Sequence, residues 1–269
     1  DELEVRSRGA DRGSAGASAP AGRPKPPLVF LHGSYHAAWC WEENFFPWFA
    51  ARGHESYAPS FRGHGSSGGG DPRGERLERH AQDVLEFLGG LDRPVLIGHS
   101  FGGLVAQAVM ASEACPPLER CVLLNSVPPV GNGPMTLRFL WDNPLNAFRV
   151  TRGFIAKTFE RDADECRWMF FSDDLPEERV RAYQAQIAAS SAVRLLDLKL
   201  LKQSLPTRLR DGLPPVTVIG SGCDTVVDRE GVEEAAAFYG VTPKLLDVAH
   251  DSMLDTNWEA VARAIHEDL

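Results

Sequence analysis

From Pro27 onward, apolar residues fall into two alternating patterns. Short, almost unbroken runs have the length and β-branched content of buried strands: Leu28-Val29-Phe30-Leu31, Val95-Leu96-Ile97, Cys121-Val122-Leu123-Leu124 and Val216-Thr217-Val218-Ile219. His54 to Pro59 and Lys244 to Val248 add two more. Between these runs, apolar residues recur at helical spacing. One such stretch is rich in Trp and Phe, from Trp39 to Arg52-Gly53; others are Arg76 to Leu88, Leu104 to Val109, and a last helix from Trp258. Asp228 is placed to cap a helix ending near Tyr239-Gly240, and Thr256 or Asn257 to cap the final one. Strands alternating with helices predict an α/β fold, a mostly parallel sheet covered on both faces.

Two segments break the alternation. Residues 1–26 are expected to form a flexible N-terminal tail, because Gly, Ala, Ser, Pro and Arg dominate and offer little to bury, although Leu3 and Val5 mark one edge strand. Residues 126–210 contain no convincing strand. Their helical periodicity is interrupted by Pro128-Pro129, Pro144 and Pro176, and they are rich in large apolar residues such as Phe139, Trp141, Phe148 and Phe154. This stretch is expected to be an inserted helical cap over a core made of residues 27–125 and 211–269.

Composition narrows the classes. A net charge of −9 lacks the basic footprint of a nucleic-acid partner. Five cysteines, Cys40, Cys115, Cys121, Cys166 and Cys223, are odd in number, scattered and without a C-x-x-C pair; they predict a reducing intracellular compartment and no metal site. That compartment is the cytoplasm or an organelle stroma such as that of a plastid, the latter because the Ser/Ala/Arg-rich start, although it contains acids, is similar to the end of an organelle transit peptide. The uncharged run from Pro94 to Ser112 approaches the length of a membrane span. Its glycines, His99, Ser100 and Gln107 fit a buried strand and helix better.

That run also carries the chemistry. Gly98-His99-Ser100-Phe101-Gly102-Gly103 follows an apolar strand and precedes a helix, the context in which G-x-S-x-G exposes a serine on a sharp turn. Gly65-Ser66-Ser67-Gly68-Gly69 has the same spacing, but no strand leads into it and Gly70-Asp71 follows where a helix should start; Ser67 is read as loop. A serine hydroxyl needs a base to take its proton, and the base needs an acid to orient it. His250 follows the last strand. Asp224 follows the strand before it, with Asp228 as the rival acid and Asp251 expected to point elsewhere. Ser100, Asp224 and His250 all lie past C-terminal strand ends, the side on which open α/β sheets build their sites. His64, without a visible partner, is read as structural. His32-Gly33-Ser34, after the first core strand, is a loop able to turn its N–H groups toward an oxyanion.

With these residues the chain resembles the α/β-hydrolase superfamily along almost its whole length after Pro27. The resemblance implies that Ser100 is the nucleophile, His250 the general base and Asp224 the acid. It further implies that the backbone N–H groups of Ser34 and Phe101 form the oxyanion hole, and that the insertion is the helical cap. The stretch from His32 to Trp39 is similar to the opening of plant methylesterases and hydroxynitrile lyases. Asp251 stands where those lyases have lysine, and Phe101 where they have cysteine, so the lyase chemistry is disfavoured. Relatives that cleave carbon–halogen bonds or epoxides carry aspartate at the position of Ser100.

The sequence therefore predicts a serine hydrolase that cleaves a carboxylic ester of an apolar or lipid-like small molecule, with no cofactor and no metal. A small-molecule receptor with little turnover, or an acyltransferase using the same serine, are the alternatives. The cap holds 13 Lys and Arg against 10 Asp and Glu, a net of +3 inside a chain of net −9, so the remainder carries −12. That asymmetry predicts peripheral contact of the cap with an anionic membrane.

Overall fold

The structure is a computed structural model that describes residues 2–11, 25–71, 73–190, 194–205 and 207–269. Its frame is a sheet of seven strands among the described residues. These are β1 (Val5–Arg8), β2 (Leu28–Leu31), β3 (Ser56–Pro59), β4 (Val95–His99), β5 (Arg120–Leu124), β6 (Val216–Ser221) and β7 (Lys244–Leu246). In space they run β1-β3-β2-β4-β5-β6-β7, with β1 antiparallel to β3 and every other pair parallel.

The pleat sorts the apolar runs into two cores. Phe30, Val95, Ile97, Val122 and Leu124 face one side of the sheet, while Val29, Leu31, Leu96, Cys121 and Leu123 face the other. The first side is filled by α1 (Phe45–Ala50) and α10 (Trp258–His266), with Phe30 packed against Trp41, Phe45 and Phe49 at ring separations of 4.9, 6.0 and 5.8 Å. The second is covered by α2 (Leu77–Leu88), α3 (Phe101–Ala111) and α9 (Arg229–Tyr239). A strand buried on both faces has no polar side, which explains the uninterrupted apolar runs.

Chain order reverses beside β2. From β2 the chain crosses to β3 on one side and then returns to β4 on the other. The loops after β2 and β4 therefore diverge at the C-terminal edge of the sheet, leaving a crevice there.

Several sequence expectations change. The expected tail is shortened at its start: the edge strand marked by Leu3 and Val5 is β1, which pairs with β3 from Val5↔Pro59 to Arg8↔Ser56, and the Glu4 carboxylate accepts from Ser60 Oγ at 2.7 Å. The rest of the expected tail, residues 12–24, lies outside the described residues. The aromatic helix expected from Trp39 is two pieces, a 3-10 turn at Ala38–Trp41 and then α1. Pro47 accounts for the break, since a helix running through from Trp39 would put a residue without an N–H in its interior. Neither Thr256 nor Asn257 caps α10: Thr256 Oγ1 donates to Asp174 Oδ1 at 2.9 Å and Asn257 Nδ2 to the Asp247 carbonyl at 3.2 Å. Asp228 does cap α9, accepting from Gly231 N at 2.8 Å.

Between β5 and β6 the chain is helical: α4 (Gly133–Asp142), α5 (Pro144–Ala156), α6 (Ala163–Phe170), α7 (Glu177–Ser190) and α8 (Leu198–Ser204). Asn143, Asp162 and Asp197 accept backbone N–H groups at the starts of α5, α6 and α8, and Pro144 takes the first position of α5. Phe159, Met169, Phe170, Val180 and Tyr183 from this segment join the core on the α1/α10 side.

Candidate active site

Ser100 sits at the break between β4 and α3 with φ 53° and ψ −124°, a conformation that L-residues rarely adopt. Two glycines make that turn feasible. A Cβ on Gly98 would lie 2.7 Å from the Gly102 carbonyl oxygen, and one on Gly102 would lie 2.7 Å from the Leu31 carbonyl oxygen. The turn lifts the Ser100 hydroxyl above the sheet edge, and Phe101 opens α3 with an N–H that has no acceptor in its own helix.

His250 meets this hydroxyl from the loop after β7. Its Nε2 lies 3.2 Å from Ser100 Oγ, and its Nδ1 donates to Asp224 Oδ2 at 2.7 Å. The other oxygen of Asp224 accepts from Val226 N and Val227 N at 2.7 and 2.9 Å, which fixes the carboxylate in the loop after β6. Burial alone would push the His250 pKa down. The Asp224 carboxylate outweighs it and raises the imidazole above its ordinary value.

The imidazole is also held through its backbone. The His250 carbonyl accepts from His99 Nε2 at 2.9 Å and from Asn125 Nδ2 at 2.8 Å. His99 is fully buried, and burial together with the neighbouring His250 pushes its pKa down to about 3, so it is neutral and donates from Nε2. Nothing in the sequence marked His99 or Asn125 for this task.

A second buried pair lies against the first. His36 Nε2 is 2.8 Å from Asp251 Oδ2, and His36 Nδ1 is 3.0 Å from the Ser34 carbonyl oxygen. Both partners are acceptors, so both ring nitrogens donate and the ring is an imidazolium. Burial opposes that charge, but the Asp251 carboxylate outweighs it and raises the His36 pKa; the same ion pair lowers that of Asp251 against its own burial. The expectation that Asp251 points away from Ser100 and Asp224 agrees with this, yet its side chain is not idle.

Ser34 follows Gly33, whose backbone packs so close to the serine that a Cβ there would lie 3.0 Å from Ser100 Cβ. Ser34 and Phe101 thus flank the hydroxyl from the loops after β2 and β4. Asp228, the rival acid, is elsewhere: it caps α9 and accepts from Nε and Nη2 of Arg138 at 2.8 and 2.9 Å, while Arg138 Nη1 donates to Glu234 Oε1 at 2.6 Å. Ser67 lies in a loop, donating to the Ser60 carbonyl at 2.6 Å. His64 is buried, with Nδ1 2.9 Å from the Arg62 carbonyl, and burial pushes its pKa down to about 4.

Above Ser100 opens a cavity of about 290 Å³. Its floor is Ser100, Phe101 and His250, and its walls are mostly apolar side chains of α4 and α5, among them Met135, Phe139, Val150 and Phe154. Arg194 stands at its rim. His99, His250 and Asp251 form the one set of three metal-capable groups among the described residues. Both ring nitrogens of His250 are already engaged with Asp224 and Ser100, so this donor set does not suit a metal ion.

Residues 28–264 match the model of the alpha/beta hydrolase family. The chain belongs to that family. Among curated proteins it is similar to a carbendazim hydrolyzing esterase of Nocardioides sp. (strain SG-4G), 33% identical over 41% of this chain and 46% of that one. It is also 33% identical to Methylesterase 9 of Arabidopsis thaliana, over 33% of this chain and 34% of the relative. The matched stretches thus span less than half the length of these relatives. The fold is shared with an esterase from Exiguobacterium antarcticum, which superposes with a TM-score of 0.69, covering 98% of this chain and 94% of that one at 16% identity. No helix among the described residues is long and apolar enough to cross a membrane, and all five cysteines are free thiols.

Proposed function

We propose that this alpha/beta hydrolase cleaves carboxylic esters, with Ser100 as nucleophile, His250 as general base and Asp224 as the acid that orients it. The observation that carries the reading is the unbroken relay from Asp224 Oδ2 through His250 to Ser100 Oγ, with steps of 2.7 and 3.2 Å. Similarity to two relatives named as esterases supports the reaction class.

The Ser100 Oγ attacks the ester carbonyl carbon as its proton passes to His250 Nε2, and the carbonyl π pair moves onto oxygen. The N–H groups of Ser34 and Phe101 hold that oxyanion, aided by the positive end of α3. Asp224 stabilises the imidazolium through Nδ1. As the intermediate collapses, His250 returns the proton to the leaving alkoxide, which departs as the alcohol. Water, deprotonated by His250, then attacks the acyl-enzyme and releases the acid and free Ser100.

Helices α4 to α8 act as a lid whose inner face sets the substrate. A cavity walled by Met135, Phe139, Val150 and Phe154 favours an apolar acyl or alcohol group. The test is a panel of esters varied in acyl and alcohol length, read together with labelling by a fluorophosphonate probe. The reading requires turnover, preference for esters larger than acetates, and covalent labelling at Ser100. Labelling without turnover would make the protein a receptor built on this fold. Turnover to a transferred ester in the presence of alcohol, with none to acid in water, would make it an acyltransferase.

A further inference from the structure

The cavity over Ser100 carries one charge that the catalytic groups do not match. Its ionisable lining is Tyr35, His36, His99, Arg194, His250 and Asp251. His36 and Asp251 neutralise each other as a buried pair, His99 is held neutral, and His250 is matched by Asp224. Arg194 is left over. It is the one Lys or Arg among the described lining residues, and no acid among the described residues forms an ion pair with it.

The backbone after Arg194 is clamped to the core. Leu195 and Leu196 are buried, and Leu196 bridges Glu75 in the loop before α2. The Leu195 carbonyl accepts from Glu75 N at 3.2 Å and from His80 Nε2 at 2.9 Å, while Asp197 N donates to the Glu75 carbonyl at 2.9 Å. Gly74, at φ 97°, permits this approach, since a Cβ there would collide with the Leu196 carbonyl. On the cavity side stands Tyr35, buried and held at φ 65°, a costly conformation for a residue other than glycine. Its hydroxyl donates to the Phe154 carbonyl at 3.2 Å. The Arg194 guanidinium acts on the same hydroxyl, drawing its pKa down against the larger upward push of burial.

A tyrosine oxygen occupies only part of a guanidinium with five N–H donors. Arg194 is exposed at the cavity mouth, where water serves the remaining donors. A carboxylate arriving through the cavity replaces that water with two parallel, charge-assisted bonds. Between the mouth and Ser100 the walls are the apolar side chains Met135, Phe139, Val150 and Phe154.

We infer that Arg194 binds a substrate carboxylate, so that the ester cleaved at Ser100 carries an acid group at the far end of its apolar acyl or alcohol chain. The inference rests on the ester-hydrolase reading and narrows it to one substrate class. It makes the cavity a ruler: only a chain that spans Ser100 to Arg194 engages both ends.

The test compares kcat/KM within two series of esters. One sets monomethyl esters of straight-chain dicarboxylic acids, from succinate to sebacate, against methyl esters of the matching monocarboxylic acids. The other sets propionates of straight-chain ω-hydroxy acids against propionates of the matching alcohols. In at least one series the charged ester is expected to exceed its neutral counterpart by about tenfold or more, with an optimum chain length. That ratio should fall about tenfold or more in Arg194→Met and be partly kept in Arg194→Lys, which supplies a point charge without the planar fork. Taking the ratio within each variant removes any general loss of fold or activity. Neutral esters preferred throughout both series would overturn the inference. Equal losses for charged and neutral esters would do the same, and would leave Arg194 as a structural partner of Tyr35.

If no ester is turned over, calorimetry decides. Straight-chain carboxylates from butanoate to decanoate should bind more tightly than their neutral amides, and Arg194→Met should remove the difference. That result would keep the carboxylate site and reject the hydrolase reading; no discrimination at any length would reject both. Turnover without any preference for the charged esters rejects the inference and leaves the hydrolase reading standing.

Discussion

The imidazole of His36 lies 2.8 Å from the carboxylate of Asp251, joining the loop after β2 to the residue that follows His250. Through Nδ1 the same ring holds the Ser34 carbonyl, and the Asp251 N–H donates to the Phe170 carbonyl at the end of α6 at 2.9 Å. The two residues of this buried ion pair thus join the loop after β2, the loop carrying His250 and the end of α6. Breaking it by Asp251→Leu leaves His36 without a counter-charge, and about 3 kcal/mol of stability should be lost. The double variant His36→Phe, Asp251→Leu should recover part of that loss. Urea denaturation of the single and double variants checks this; additive losses would show that the two residues are not one unit.

Loss of the pair should also slow turnover by roughly ten- to a hundredfold with little change in KM, because a displaced N–H of Ser34 weakens the transition state more than substrate binding. Steady-state kinetics on the conservative variant Asp251→Asn, which keeps the volume, separates this from collapse of the fold.

From the sequence alone, hydrolysis is expected to rise with pH near the ordinary histidine range of about 6–7. The buried Asp224 partner moves the expectation upward. Activity should rise through a midpoint above 6.5 and then level off, as His250 loses its proton. The pH dependence of kcat/KM on a neutral ester reads this midpoint directly, and a midpoint below 6.5 would mean that burial, not Asp224, governs His250.

Stability should fall in mild acid. His64 and His99 are held neutral in the fold, with pKa values pushed down to about 4 and about 3 from an ordinary 6.5. Between those values and 6.5 the unfolded chain binds protons that the folded chain refuses. Unfolding free energy should therefore decrease as pH drops below 6.5, on the order of 1 kcal/mol per pH unit for each histidine. The His36–Asp251 pair does not interfere. His36, raised, loses its contribution only as pH climbs above 6.5, and Asp251, lowered from 3.8, only as pH falls below that value. Urea melts at pH 6 and pH 4.5, both below the range in which the raised His36 and His250 change their contribution, measure the difference.

The two candidate acids separate by effect. Asp224→Asn should depress kcat by several powers of ten, because His250 loses the acceptor that fixes its tautomer. Asp228→Asn removes the ion pair with Arg138 and weakens the cap of α9; it should cost about 1 kcal/mol of stability and leave kcat nearly intact. The opposite pattern in kcat would move the acid to Asp228.

What the sequence disclosed is what neighbouring residues encode. A strand leading into glycine-flanked Ser100, with Asp224 and His250 each just past a strand end, marked the sheet edge and the relay, because strand polarity puts all such ends on one side. Contacts between distant segments were hidden. His36 and Asp251 are 215 positions apart, and neither has a local reason to be a partner of the other. Asn125 and His99 hold the His250 carbonyl, a backbone atom that no side-chain pattern reports. Asn257 has a capping residue's chemistry and the right position, yet its amide is drawn to the Asp247 carbonyl instead. The edge strand marked by Leu3 and Val5 is there as β1, but its partner was hidden, because Val5–Arg8 pairs with β3 and Glu4 meets Ser60 across 56 positions.

The central claim is that Ser100, among two serines in the same glycine spacing, carries the reaction. The most direct measurement is kcat/KM for ester hydrolysis by Ser100→Ala beside Ser67→Ala, each with a melting temperature. The account predicts a loss of several powers of ten for Ser100→Ala with the fold retained, and near wild-type turnover for Ser67→Ala. Activity kept by a folded Ser100→Ala enzyme would contradict it.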